Sequence, residues 1–222
     1  MSMDQKKRQK KLAKKKSKRK QALSNQKKRF SFSDRISRTK ALIIAKSSPI
    51  IECRIRKDIL SKGIGTAIIA RKMPNGYIGA GVYLLDVWCL GVKNTYFTTL
   101  SEYDYMDRIS EIEVNEDLEN IHPSCFRKLI DECVDYSEEL GFKPHKDYKI
   151  SRQLLMDIDP TVCPNKYTFG KNGKPFYLSG PHESEQRSKQ IVNTLQKNCG
   201  EGNFDYLVQV GDMGFDDYDD DY

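Results

Sequence analysis

The chain has 222 residues, 38 Lys or Arg against 31 Asp or Glu, a formal net charge of +7, and six cysteines. That length points to one domain plus tails, long enough to bury a core without cross-links or a metal. No Cys-x-x-Cys pair occurs, which excludes zinc ribbons and fingers, and no run of about 18 apolar residues offers a membrane-spanning helix.

The charge is unevenly placed. Residues 1–29 hold fourteen basic side chains and one acid, Asp4, whereas residues 212–222 hold six Asp and no base. Between them, residues 30–211 balance to zero. The domain expectation is therefore a disordered basic arm (1–29), a single domain (30–211) and a disordered acidic tail (212–222). The arm has too few apolar residues to bury and lacks the apolar core of a signal peptide. Its bases are Lys6, Lys7, Arg8, Lys10, Lys11, Lys14, Lys15, Lys16, Lys18, Arg19, Lys20, Lys27, Lys28 and Arg29. Positive charge at this density suits phosphate neutralisation without sequence preference. Phe30 and Phe32 close the arm, most simply as an anchor to the domain.

In chain order, Ser33–Lys46 reads as a helix capped by Ser33 and stopped by Pro49, and Ile50–Ile55 as a strand. Asp58–Lys62 is a surface link. Gly63–Arg71 is β-branched and strand-like, Met73–Tyr77 is a turn, and Tyr77–Trp88 is a second strand. The last is apolar almost throughout, the pattern of a strand buried on both faces. Cys89–Gly91 breaks the chain, and Val92–Thr98 resumes as a strand.

Leu100–Ile112 has helical spacing through Leu100, Tyr103, Met106, Ile109 and Ile112. Pro123–Leu140 is the clearest helix, closed by Gly141 and Pro144. Asp147–Asp157 is a shorter one. Lys166–Ser179 reads as a hairpin turning at Asn172-Gly173, with exposed aromatics that could assist RNA binding. Ser184–Leu195 is a helix and Phe204–Val210 a last strand. The expected fold is α+β, a mainly antiparallel sheet with helices packed on one side and disordered charged arms at both ends.

Two segments, Gly81–Lys93 (GVYLLDVWCLGVK) and Phe169–Pro181 (FGKNGKPFYLSGP), resemble an uncharacterised family of bacterial cytosolic proteins that often begin with a Lys/Arg-rich arm. The resemblance covers about residues 48–182, departs from the family pattern at Trp88, where Tyr is expected, and implies no activity.

Candidate chemistry is sparse. Asp86 lies in an apolar strand and needs a partner, from Lys93, Arg71 or the N–H groups of Cys89–Gly91. It is read first as an anchor of that turn and alternatively as a catalytic group beside Lys93 and His182. His182-Glu183 could supply a base, but no His-Glu-x-x-His follows. His122 and His145 stand in loops beside prolines, and no metal site is expected. Gly63-Ile64-Gly65 and Gly79-Ala80-Gly81 lie inside strands and read as packing positions rather than a phosphate loop.

The leading expectation is a cytoplasmic binding module for RNA or a ribonucleoprotein, working through the arm without cofactors, with DNA as an alternative polyanion. The rivals are an enzyme, of the phosphodiester-hydrolysing kind, at Asp86, Lys93 and His182, and a protein-binding adaptor docking through the acidic tail. The cysteines are expected as reduced thiols, mostly small core residues.

Overall fold

The computed structural model describes residues 38–181 and 183–208. The basic arm, the acidic tail and His182 lie outside these residues, as do the Ser33 cap and the Phe30 and Phe32 anchor. The chain divides into two compact units, Met1–Ile44 and Ala45–Tyr222. Residues 38–46 are helical (α1).

The second unit is built on a meander. Strands β1 (Ile50–Arg56), β2 (Ile64–Lys72), β3 (Ile78–Asp86) and β4 (Gly91–Leu100) pair antiparallel in succession, and β5 (Leu118–Asn120) adds to the free edge of β1. The sheet order is β4-β3-β2-β1-β5. The antiparallel α+β class expected from the sequence is therefore the fold. Asp58–Lys62, expected as a plain link, contains a one-turn helix, α2 (Ile59–Lys62), and β5 was not anticipated. Its three residues carry one apolar side chain, too few to show alternation.

Helices cover both faces of the sheet, a correction to the one-sided expectation. Helix α3 (Glu102–Glu113) lies on the face formed by Ile68, Ala70, Ile78 and Ala80, burying Tyr105 and Ile109 there. Helix α4 (Pro123–Glu139) takes the other face, where Phe126 meets the Tyr83 ring edge-on at 6.0 Å. Strand β3 is thus sandwiched, which is why its sequence is apolar on both faces. The phase of α3 also differs from expectation. Ser101 caps the helix, so Tyr105, Ile109 and Ile112 point inward at i, i+4 and i+7, and Tyr103 and Met106 are exposed.

After α4 the chain forms α5 (Tyr148–Ser151), which tightens into a 3₁₀ turn over Arg152–Leu155. Arg71, 1% exposed, fastens this turn to β2. Its Nε and Nη2 donate to the Leu154 carbonyl at 3.2 and 2.8 Å, its Nη1 to the Ser48 carbonyl at 2.7 Å, and both terminal nitrogens to the Asp157 carboxylate. A buried guanidinium is tolerable only with its fork filled in this way.

A second core gathers Leu90, Leu140, Phe142, Tyr177, Ile191, Leu195 and Phe204. It lies beneath α6 (Glu185–Cys199) and a parallel pair, β6 (Phe176–Leu178) with β7 (Asp205–Leu207). The expected 166–179 hairpin shrinks to a Lys171–Lys174 bridge around Asn172-Gly173, both at positive φ. Its return strand pairs with β7 instead. Tyr177 is fully buried, and Tyr167, Phe169 and Phe176 are half-buried, so these aromatics are not the exposed set expected.

Cys125 and Cys163 form a disulfide, their Cα atoms 4.9 Å apart. This corrects the expectation of six reduced thiols. The two lie 38 residues apart in sequence and meet only because the Pro160–Val162 turn folds back onto α4. Cys53, Cys89 and Cys133 are buried, as expected of core cysteines.

Replacing Arg71 by Met should remove the donors to the Leu154 and Ser48 carbonyls, leave the half-exposed Asp157 carboxylate to water, and cost about 1–3 kcal/mol. Arg71→Lys should recover little, because one ammonium cannot span the three acceptors. Urea unfolding curves would check both; a Lys variant as stable as the parent would contradict the account.

Candidate functional site

The four residues between β3 and β4, Val87–Leu90, receive hydrogen bonds from several distant parts of the chain. Asp86, 6% exposed, turns its Oδ1 onto the loop it precedes and accepts the N–H groups of Trp88 at 3.2 Å and Cys89 at 3.0 Å. This is the Asx-type anchor expected from the sequence. The loop backbone then receives the rest of the chain. Val87 N–H donates to the Gly63 carbonyl at 2.8 Å, the Val87 carbonyl accepts Gly170 N–H at 3.0 Å, and the Trp88 carbonyl accepts Phe176 N–H at 3.1 Å. Tyr136 Oη donates to that same Trp88 carbonyl at 3.4 Å.

Two glycines make the approach possible. Gly63, at φ 82°, lies flat under the indole: a Cβ there would stand 2.1 Å from the ring. Gly91, at φ 68°, faces Ser137 of α4, whose Oγ would be 2.2 Å from a Cβ. Both need a left-handed backbone and the absence of a side chain. Trp88 donates its Nε1–H to the Leu60 carbonyl at 3.0 Å and meets Phe176 edge-on at 5.5 Å, and the Lys171 ammonium lies 5.3 Å from its ring centre. The indole is committed to the fold and is no free platform for a base.

Lys93 occupies a β-bulge. Leu85 pairs with Val92 and Leu84 with Asn94, so Lys93 is the extra residue of β4. It does not form a direct ion pair with Asp86. Burial pushes the Asp86 carboxyl up to about 6, opposed by the field of Lys93 and by the loop N–H groups. Glu183 accepts Gly180 N–H at 3.0 Å, closing the turn into α6. Lys93 and Glu183 both act electrostatically on Cys89, whose thiol burial drives far up. The charges of Asp86, Lys93 and Glu183 all act on this one thiol, and the thiol is fully buried. His122 caps α4, its Nδ1 accepting Ser124 N–H, and His145 accepts Asp147 N–H in the same manner. Among the described residues, no group of three His, Cys, Asp or Glu could hold a metal ion.

An open cleft lies elsewhere, and no residue pattern announced it. About 570 Å³ in volume, it is floored by Ile55, Ile59 and Leu129, edged by Lys57, Glu119, Asn120, His122, Asn165 and Tyr167, and bordered by Cys125 of the disulfide. Its walls come from β1, α2, β5, the start of α4 and the 163–167 segment, five pieces distant in sequence. A smaller slot of about 170 Å³ separates α3 from the sheet beside Tyr96 and Arg108. Neither is lined by Asp86, Lys93 or Glu183.

The raised pKa of Asp86 sets the sign of a pH effect. Its folded value lies above the ordinary 3.8, so the fold holds this proton more tightly than the unfolded chain does. The resulting stability is fully present below pH 3.8 and is lost as pH rises through about 6, by ~3 kcal/mol at most. Asp86→Asn keeps the acceptor oxygen and removes the buried charge, so its stability relative to the parent should improve between about pH 4 and pH 7. Asp86→Ala strands two N–H groups and should be about 1–3 kcal/mol less stable than Asp86→Asn at either pH. Denaturant melts of the three proteins at the two pH values check this; a relative stability of the Asn variant that is flat with pH would refute it.

No family model, curated protein or solved structure matches the chain, so the resemblance carried by residues 81–93 and 169–181 stands on those segments alone and assigns no family.

Proposed function

We propose that the chain is a binding module for RNA or a ribonucleoprotein surface, engaging phosphates through the basic arm of residues 1–29. The observation that carries this reading is charge segregation: thirteen net positive charges lie in 29 residues, while residues 30–211 are neutral. A folded body without net charge adds no long-range attraction or repulsion of its own, so the arm dominates the encounter with a polyanion. DNA offers the same charge, and since phosphate contacts carry no sequence information, selectivity between the two would have to come from other contacts.

The enzyme alternative, with Asp86, Lys93 and His182 as catalytic groups, has less support. Asp86 Oδ1 is committed to the Trp88 and Cys89 N–H groups, and neither cleft reaches it. The acidic tail of residues 212–222 remains a surface for a basic protein partner, and it is also a competitor for the arm. Among the described residues, no helix is long and apolar enough to cross a membrane.

Binding of a structured RNA should fall steeply with salt. Changing the fourteen arm bases to Gln should flatten the slope of log K against log salt by several units, at roughly 0.7–0.9 for each phosphate left without a basic partner. Titrations at a series of salt concentrations decide this; unchanged affinity in the Gln variant would overturn the reading. Removing residues 212–222 should tighten the same binding at low salt and leave it unchanged at about 0.5 M, where screening is nearly complete within a few ångströms.

A further inference from the structure

The Cys125–Cys163 disulfide differs from the other sulfur sites. Cys53, Cys89 and Cys133 are enclosed, and burial pushes their thiols up, Cys53 to about 12. Cys125 and Cys163 are also buried, 6% and 4% exposed, but Cys125 lies in the first turn of α4, a helix of 17 residues, whose aligned peptide dipoles favour negative charge at that end. It also borders the open cleft. Cys163 follows the Pro160–Val162 turn, in the segment that supplies Asn165 and Tyr167 to the cleft wall.

That segment has further ties to α4. Lys128 Nζ donates to the Cys163 and Asn165 carbonyls at 3.3 and 2.7 Å, and Tyr167 Oη donates to the Cys125 carbonyl at 3.2 Å. Just upstream, the Arg127 guanidinium holds the Leu155, Met156 and Ile158 carbonyls. With the sulfur bond open, these hydrogen bonds keep the two thiols near each other, so that re-closure is an intramolecular step. They are also bonds for which water can compete, whereas the disulfide is not.

We propose that Cys125 and Cys163 are a reversible dithiol–disulfide couple that clamps the 159–167 wall of the cleft, its reductant a small dithiol entering through the cleft. The reductant attacks Cys125 Sγ as a thiolate. The new S–S bond forms as the Cys125–Cys163 bond breaks, and the electron pair leaves on Cys163 Sγ, which takes its proton from water, with the Tyr167 hydroxyl 3.9 Å away as a polar neighbour. The second thiolate of the reductant then displaces Cys125 Sγ, which departs at the positive end of α4, and the reductant closes its own disulfide. The protein gains two electrons and two protons, and the dithiol loses both. Reduction frees the wall, and oxidation fixes it. This inference is independent of the polyanion reading.

The test uses the native full-length chain in graded mixtures of reduced and oxidised dithiothreitol, with alkylation, peptide mass spectrometry and amide hydrogen exchange. The expected result is full reduction of this pair without denaturant, with Cys53, Cys89 and Cys133 unlabelled until the chain is unfolded. Amides of residues 159–167 should exchange severalfold faster in the reduced form, those of β2 and β3 at an unchanged rate, and re-oxidation should restore both. Cys163→Ser should reproduce the fast exchange in a chain that still melts cooperatively. The proposal is overturned if no Cys125–Cys163 peptide forms under oxidising conditions, or if the bond resists reduction until the chain is denatured. It is equally overturned if opening the bond, by reduction or by Cys163→Ser, unfolds the domain or leaves exchange in 159–167 unchanged.

Discussion

The fold depends on one carboxylate folded back into its own turn. Asp86 ends the central strand β3, and its Oδ1 accepts two N–H groups of the loop that follows. Buried loop backbone is costly unless every polar group finds a partner. Here the carboxylate satisfies two donors and shapes the loop so that its remaining groups point outward to Gly63, Gly170, Phe176 and Tyr136. The meander, the 166–179 segment and α4 are all hydrogen-bonded to these few residues. That is a structural use of a buried charge, with the desolvation cost visible in the raised pKa of the group.

Arg71 does on β2 what Asp86 does on β3. Both are ionisable groups inside an otherwise apolar sheet, and each is surrounded by backbone partners. Arg71 joins β2 to the approach to β1 and to the 3₁₀ turn. The two ions solve the same problem: a five-stranded sheet sandwiched between helices must be crossed by irregular chain, whose carbonyls and N–H groups need partners where water is excluded.

The chemistry that could meet other molecules is kept away from this interior. The Cys89 thiol has no exposed surface, whereas the cleft bordered by Cys125, His122 and Tyr167 lies beside β5 at the edge of the sheet. The strongest charge in the chain belongs to the residues before position 30. The body is neutral, and the net charge of the chain lies in the basic residues before position 30 and the acidic residues after position 211.

The sequence by itself determined the class, the strands of the meander, the long helix α4 and the part played by Asp86, because each is written in neighbouring residues. Alternating and continuous apolar runs report burial over a few positions, and Pro, Gly and Asx signals report turns. The unbroken apolar run of β3 even carried the evidence for cover on both faces, which a one-sided arrangement of helices contradicts. Tertiary structure alone decided the rest. Helix α3 has aromatic and apolar residues on two faces, and only the sheet beneath it selected Tyr105 and Ile109 over Tyr103 and Met106. Phe176–Leu178 found a parallel partner about thirty residues away because the second core needed Tyr177 inside. Cys125 and Cys163 met, and five separate pieces closed around a cleft, through contacts between segments distant in sequence, which no local pattern of residues encodes.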